Sequence, residues 1–257
     1  MSNGVSVIAP PVGGPAAWAH ERPGALIGAG ASGLEQSVLS VPAAAVVDRA
    51  TGRAEEALFV LEGSGRLSVG GEEHRVEQGC GVCLAPGRHY ELIAGTEPLR
   101  VVRVRIPSPV HADEPAASPA GCAVRRLSEQ PAGEATSDRH FRILTDPEAG
   151  LRSATQFVGE IPPIRAPEHF HDYDEVIYVL DGEGRFHAEG STWPVAPGTC
   201  IGLPARVRHC LENTGGGLMR VLGVFRPAGS PAAAYYPDGT PAYIIPPAPR
   251  TAPAPSM

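Results

Sequence analysis

Residues 175–186 read EVIYVLDGEGRF, and residues 56–67 read EALFVLEGSGRL. The two stretches align without a gap at an offset of 119 residues, and the same offset carries Gly79 onto Gly198. Each is a short run of β-branched, aromatic and aliphatic residues closed by an acid and a glycine, the composition of a strand that ends in a tight turn. Similar runs surround them: QSVLSV, GRLSVG, GVCLAP and LRVVRVRI in the first half, TQFVGE, GRFHAE, TCIGLP and LMRVLGVF in the second. Many short apolar runs separated by turn residues predict an all-β chain. A repeat this long describes paired domains rather than a solenoid, whose units span about 20–50 residues. Long helical periodicity is absent, with weak helical candidates only near 123–130 and 228–235.

The bulk composition agrees with two soluble globular domains. A chain of 257 residues, 42% hydrophobic and 19% charged, is long enough for two cores of its own. Its 31 glycines and 28 prolines are spread between the apolar runs instead of pooled, which argues for turns over disorder. The net charge of −7 without a basic stripe excludes nucleic acid as an expected partner. All 21 basic residues are arginine, so Schiff-base and lysine general-base chemistry are excluded. The start has no charged segment leading into an apolar one, and no run of about 18 apolar residues occurs; the expectation is a cytoplasmic protein without membrane contact. Five cysteines are an odd number and argue against a disulfide framework. Cys80 and Cys83 form a C-x-x-C inside an expected strand, where positions three apart face opposite ways, so they read as packing residues.

The chemistry concentrates upstream of the second repeat's strand, in PEHFHDYDEVIYVLDG, residues 167–182. His169 and His171 are two apart and would share a face of a strand; Glu175 keeps the same parity if that strand continues. His209 would arrive from a neighbouring strand after a turn helped by Pro204. Three imidazoles and a carboxylate suit one divalent transition ion, with water or substrate in the remaining positions. Fe, Mn, Ni, Co, Cu and Zn are not distinguished by this set. A solitary H-x-H on a strand is ordinarily a surface pair, and only the combination of four ligand types argues for a metal.

The second half resembles the cupin family. Its first motif, G-x5-H-x-H-x3,4-E-x6-G, is met by His169, His171, Glu175 and Gly182; its second, G-x5-P-x-G-x2-H-x3-N, by Gly198, Pro204, His209 and Asn213. Two positions depart: Gly159 lies nine residues ahead of the histidines rather than five, and Arg206 replaces the middle glycine of the second motif. In the first half the offset places Ala50 and Gly52 at the histidine positions, keeps Glu56, and puts Tyr90, beside His89, at the last one. The resemblance therefore implies a bicupin of two tandem β-barrels (jelly roll, or double-stranded β-helix), with one metal in the carboxy-terminal barrel and none in the other. The expected divisions are an extension over 1–30, the degenerate barrel over 31–108, a linker or crossing segment over 109–140, the metal-bearing barrel over 141–228 and a proline-rich tail over 229–257, disordered toward its end.

Because cupin pockets lie inside the barrel, Ile177 and Val179 should form an apolar wall while Tyr178 faces out. Arg206 could pair with an anionic substrate or be a solvent-facing loop residue, and Gln156 and Tyr173 are further candidates for substrate contact. His74 and His111, without spacing partners, read as surface residues, and Trp193 as core. The ligand set is similar to that of quercetin-dioxygenase-like, germin and oxalate-decarboxylase cupins, which implies a small-molecule oxygenase with Glu175 as ligand and base. A non-redox isomerase, cyclase, lyase or hydrolase, on an architecture similar to the ureidoglycine aminohydrolases, and a non-catalytic small-ligand binder are the alternatives. Barrel edges could be satisfied within the chain or by a homodimer.

Overall fold

The computed structural model describes residues 4–10, 27–29, 32–107 and 121–242. The end of the tail, the segment 108–120 and His111 lie outside the described residues. Within them the chain forms twenty strands and a single 3-10 turn at Leu127–Glu129. After β1 (Ser6–Ile8) and β2 (Ile27–Ala29), the first repeat runs β3 (Leu34–Val41), β4 (Val46–Ala50), β5 (Ala54–Glu62), β6 (Ser64–Val69), β7 (Glu72–Glu77), β8 (Cys80–Leu84), β9 (His89–Ala94) and β10 (Leu99–Pro107). The connection supplies β11 (Cys122–Arg126), β12 (Gly133–Glu134) and β13 (His140–Thr145). The second repeat runs β14 (Thr155–Ile161), β15 (Asp174–Asp181), β16 (Gly184–Ala188), β17 (Ser191–Val195), β18 (Cys200–Leu203), β19 (His209–Asn213) and β20 (Met219–Arg226). Neither weak helical candidate forms an α-helix: 123–130 is edge strand and 3-10 turn, and 228–235 is turn and isolated bridge.

Each barrel is a large sheet facing a small one. The order β11-β8-β5-β10-β3-β2 faces β4-β9-β6-β7 in the first, and β1-β18-β15-β20-β14-β13-β12 faces β17-β16-β19 in the second. Leu58, Leu67, Tyr90 and Val101 fill the first barrel; Ile177, Phe186, Ile201 and Val221 fill the second. A third core joins the two large sheets back to back, with Phe59, Cys83 and Val102 against Val176, Tyr178 and Leu222. This explains why β15 reads as an unbroken apolar run: Ile177 and Val179 enter the barrel, while Val176 and Tyr178, alternating with them, enter the core between barrels. Tyr178 thus faces out of its barrel but is 2% exposed, because the sister barrel covers it. Cys80 and Cys83 separate in the same way, one into the first barrel and one into the shared core.

The sheet edges are closed by exchange. β1, from the expected amino-terminal extension, pairs with β18 of the second barrel, and β11, from the expected crossing segment, pairs with β8 of the first. Each barrel is thereby capped by a strand that precedes the other repeat, which removes two of the unpaired edges that invite association. Side chains repeat the exchange. Asp174 accepts from the backbone N–H groups of Ser32 (2.8 Å) and Ala205 (2.7 Å), while Glu55, its equivalent, accepts from Arg152 (2.7 Å) and Ser153 (3.1 Å). Gln36 donates to Ile177 O at 3.3 Å, and Gln156 to Leu58 O at 3.1 Å. No helix among the described residues is long and apolar enough to cross a membrane.

Candidate metal centre

The ligand-bearing stretch is not the start of β15. His169 forms an isolated bridge with His209, each backbone N–H bonding the other's carbonyl at 3.0 and 2.9 Å, and the chain bends at Asp172 and Tyr173 before β15 begins. The histidines therefore enter from a short bridge closed on β19, and Glu175 from the strand beyond the bend. Ligand atoms of His169, His171 and His209 lie within 4.8 Å of one another, and all three residues are buried. Glu175 is 4% exposed and lines the same cavity, but the structure does not bring it into that cluster.

Each imidazole is held by its Nδ1. His169 meets Pro167 O at 2.8 Å, His171 meets Ala233 O at 3.0 Å and His209 meets Val207 O at 2.9 Å. A carbonyl oxygen only accepts, so Nδ1 carries the proton on every ring and Nε2 keeps its lone pair. Burial, reinforced by the neighbouring imidazoles, pushes His171 down to about 3 and His169 well below its ordinary value, and burial takes His209 down to about 4. The rings are thus neutral at physiological pH. Three converging, unprotonated nitrogens oriented by backbone carbonyls fit a divalent transition ion and suit no internal donor. Burial raises the Glu175 carboxyl to about 8. Tyr173 stacks on His171 with ring centroids 4.5 Å apart and on Phe225 at 4.0 Å, fixing one imidazole from behind.

The ligands open into a cleft of about 750 Å³ including its mouth. Ile177 and Tyr173 line it as the sequence suggested, whereas Val179 belongs to the barrel core beneath. Gln156 does not reach it: the residue has the opposite parity and is buried in the interface, bonded to Leu58 O and Thr145, while its neighbour Phe157 faces the cleft. Arg206 does not reach it either. Its side chain is 71% exposed and pairs with Asp172 at 3.0 Å, so the solvent-facing alternative holds. Phe186 is core, Trp193 packs on it at 5.9 Å, and His187 bonds Glu212 at 2.8 Å away from the cleft.

Two contributors have no motif. Pro231, Ala232 and Ala234, from the expected tail, line the cleft, and Ala233 orients His171. Arg139 and Thr136, from the expected linker, line it as well.

In the first barrel the corresponding carboxylate is enclosed. Glu56, 0% exposed, accepts from Tyr90 Oη at 2.7 Å and from Arg103 Nε and Nη2 at 2.9 and 2.6 Å. Ala50 ends β4 with its residue exposed. Among the described residues, His169, His171 and His209 are the one such grouping of metal-ligand side chains.

The Cupin domain family matches residues 39–105 and 158–225, more than half of the chain, and the protein belongs to the cupin family as a bicupin. No functionally curated protein matches the sequence. Among solved structures, a putative glyoxylate-induced protein from Pseudomonas aeruginosa superposes with a TM-score of 0.72 at 17% identity, covering 87% of this chain and 88% of that one. An oxalate decarboxylase variant from Bacillus subtilis gives 0.67 at 14% identity over 93% and 80%. A salicylate 1,2-dioxygenase from Pseudoaminobacter salicylatoxidans gives 0.58 at 15% identity over 75% and 68%. These likenesses describe the fold.

Proposed function

We propose that the chain is a metal-dependent enzyme acting on a small organic molecule, an oxygenase of the dioxygenase type. The observation that carries this reading is the set of three buried imidazoles whose Nδ1 protons are all committed to backbone carbonyls, leaving three Nε2 lone pairs on one side of an open cleft. His169, His171 and His209 would hold the ion on one face, and a substrate could reach the other. When bound, a redox-active first-row ion there supplies oxygen activation, and a redox-inert one supplies Lewis acidity.

The chain's own residues do the rest. Phe157, Tyr173, Ile177 and Val221 keep the cleft apolar, so that polar contacts within it are strong. Glu175 lines the same cleft, and its carboxyl, once ionised, would take a proton from substrate as the base the motif suggests. The test is anaerobic purification with metal analysis, followed by oxygen consumption against flavonols, diketones and hydroxy acids. Iron with oxygen uptake supports the oxygenase. Zinc with turnover and no uptake would replace it by a non-redox isomerase, cyclase, lyase or hydrolase on the same ligands. Metal retention with no turnover of any compound would leave a binding protein.

A further inference from the structure

Arg139 is a cation lining the cleft, with no carboxylate partner among the described residues. It follows the turn between β12 and β13, where Ala135 N–H bonds Arg139 O at 2.8 Å. Ser137 and Asp138 within that turn have φ of 61° and 54°. Positive φ at two successive residues is the backbone of a tight hairpin turn. Among the described residues the guanidinium is held by Thr136 alone: Nε donates to Thr136 O at 2.9 Å and Nη2 to Thr136 Oγ1 at 2.6 Å. Burial lowers its proton affinity, and the groups acting against that are Cys210, Tyr173 and Tyr236, none of them a carboxylate. Of the acids lining the cleft, Glu160 is paired with Arg142 at 2.9 Å and Glu175 is buried outside the imidazole cluster. A half-buried guanidinium with an unengaged edge, facing a second centre built for a cation, calls for an anion between the two.

We propose that Arg139 anchors a carboxylate of the substrate, and that the cleft takes a small organic acid carrying a second oxygen, such as a hydroxy, keto or phenolic acid, with that oxygen directed to the three-histidine face. Arg139 thus fills the role for which the sequence offered Arg206. The inference deepens the metal-enzyme reading and rests on it for the second contact, while the first stands on Arg139 alone.

The experiment uses the full chain loaded with Mn(II), titrated calorimetrically with glycolate, oxalate and salicylate and with their amides glycolamide, oxamide and salicylamide. A charge-assisted contact corresponds to about a 10- to 100-fold preference for at least one acid over its amide. Arg139→Gln removes that preference while metal content and melting temperature hold, and Arg139→Lys, which keeps the charge and loses the planar fork, restores part of it. Equal affinity for acid and amide, a preference that survives in R139Q, or binding of none of the acids overturns the proposal. Repeating the titrations on chelated protein separates the two readings. If the wild type takes up no metal yet shows an acid preference that R139Q removes, Arg139 keeps its role and the metal reading falls.

Discussion

Gly223→Ala places a methyl group into the tightest part of the site. A Cβ at Gly223 lies 2.4 Å from Phe157 Cε1, 2.6 Å from Phe157 Cζ and 2.6 Å from Glu175 Oε1. Carbon atoms rest about 3.5–4.0 Å apart, so the ring and the carboxyl must each give by about 1 Å. The ring is not free to do so: Phe157 sits edge-on to Phe225 with centroids 5.8 Å apart at 65°, and Phe225 stacks on Tyr173, which stacks on His171. Overpacking costs about 1–3 kcal/mol, and a disturbed aromatic pair about 0.5–1.5 more, so about 1.5–4.5 kcal/mol is expected in total. For a chain of this size that is a fall in melting temperature of about 3–18 °C. Metal content should hold, because the atoms nearest the methyl belong to Phe157 and Glu175 and not to an imidazole, while turnover drops with the displaced carboxyl. Phe157→Leu in the same chain makes room, and a double-mutant cycle by thermal or urea unfolding should give a coupling of about 1–2 kcal/mol that offsets the clash. A Gly223→Ala protein within about 0.5 kcal/mol of wild type, or a cycle without coupling, would refute the reasoning.

His171→Ala and His209→Ala should each lower metal occupancy at least about tenfold, measured by elemental analysis after dialysis, with the far-ultraviolet dichroism unchanged because the sheets and not the ion build the cores; full occupancy in either variant would sink the ligand assignment. The pH dependence of chelated protein has a definite sign. Imidazoles held low in the fold contribute stability that is complete above about pH 6.5 and is lost as pH falls toward about 4 and 3, whereas Glu175, raised to about 8, contributes stability that is complete below about pH 4.5 and is lost as pH rises through 8. Three imidazoles outweigh one carboxyl, so melting temperature should peak near about pH 7, falling steeply on the acid side and gently on the other; a flat acid limb would contradict their burial. Arg206 has φ of 65° where the family motif has glycine, and Gly87 at the equivalent position of the first repeat has φ of 74°. Arg206→Gly should therefore be more stable than Arg206→Ala by about 1 kcal/mol in urea unfolding, with turnover the same in both.

What the sequence revealed, it revealed through periodicity and spacing. Two strands of period two at a fixed offset were enough for the paired barrels, and two spaced blocks were enough to gather three histidines. The parity argument then failed at two particular places. It assumed that the strand of His169 and His171 ran unbroken into Glu175, but the chain bends at Asp172 and Tyr173, so the carboxyl arrives from a different element. It could not tell the two buried faces of a barrel wall apart, so Gln156 was a pocket candidate when it belongs to the interface beside an unnoticed Phe157. Apolar periodicity is equally strong on a face that lines a cleft and on one that meets a second barrel. Arg139 and Ala233 lie in segments without periodicity, and their place depends on long-range closure: a hairpin tip lining the cleft, and a tail held by Tyr235 bridging Phe170. No local pattern in TSDRH or PAAAYY encodes either contact.

The fates of the two barrels turn on how each surrounds the same carboxylate. The turn Thr214–Leu218 is one residue longer than the turn Gly95–Pro98, which moves the offset from 119 to 120 before the last strand, so Arg103 opposite Leu58 is the counterpart of Gly223 opposite Ile177. A buried carboxylate is costly unless a positive charge meets it. In the first barrel a side chain supplies that charge: Arg103 grips Glu56 through two nitrogens, and Tyr90 covers it. In the second, glycine at position 223 withholds the guanidinium and leaves Glu175 facing a cleft with three neutral imidazoles. An arginine is a fixed cation that cannot exchange ligands, whereas an ion held by three imidazoles leaves positions for a substrate. The barrel whose cation is built into the chain has its central carboxylate already engaged. Its sister, in which glycine replaces that arginine, keeps a carboxyl and three neutral imidazoles open to one cleft.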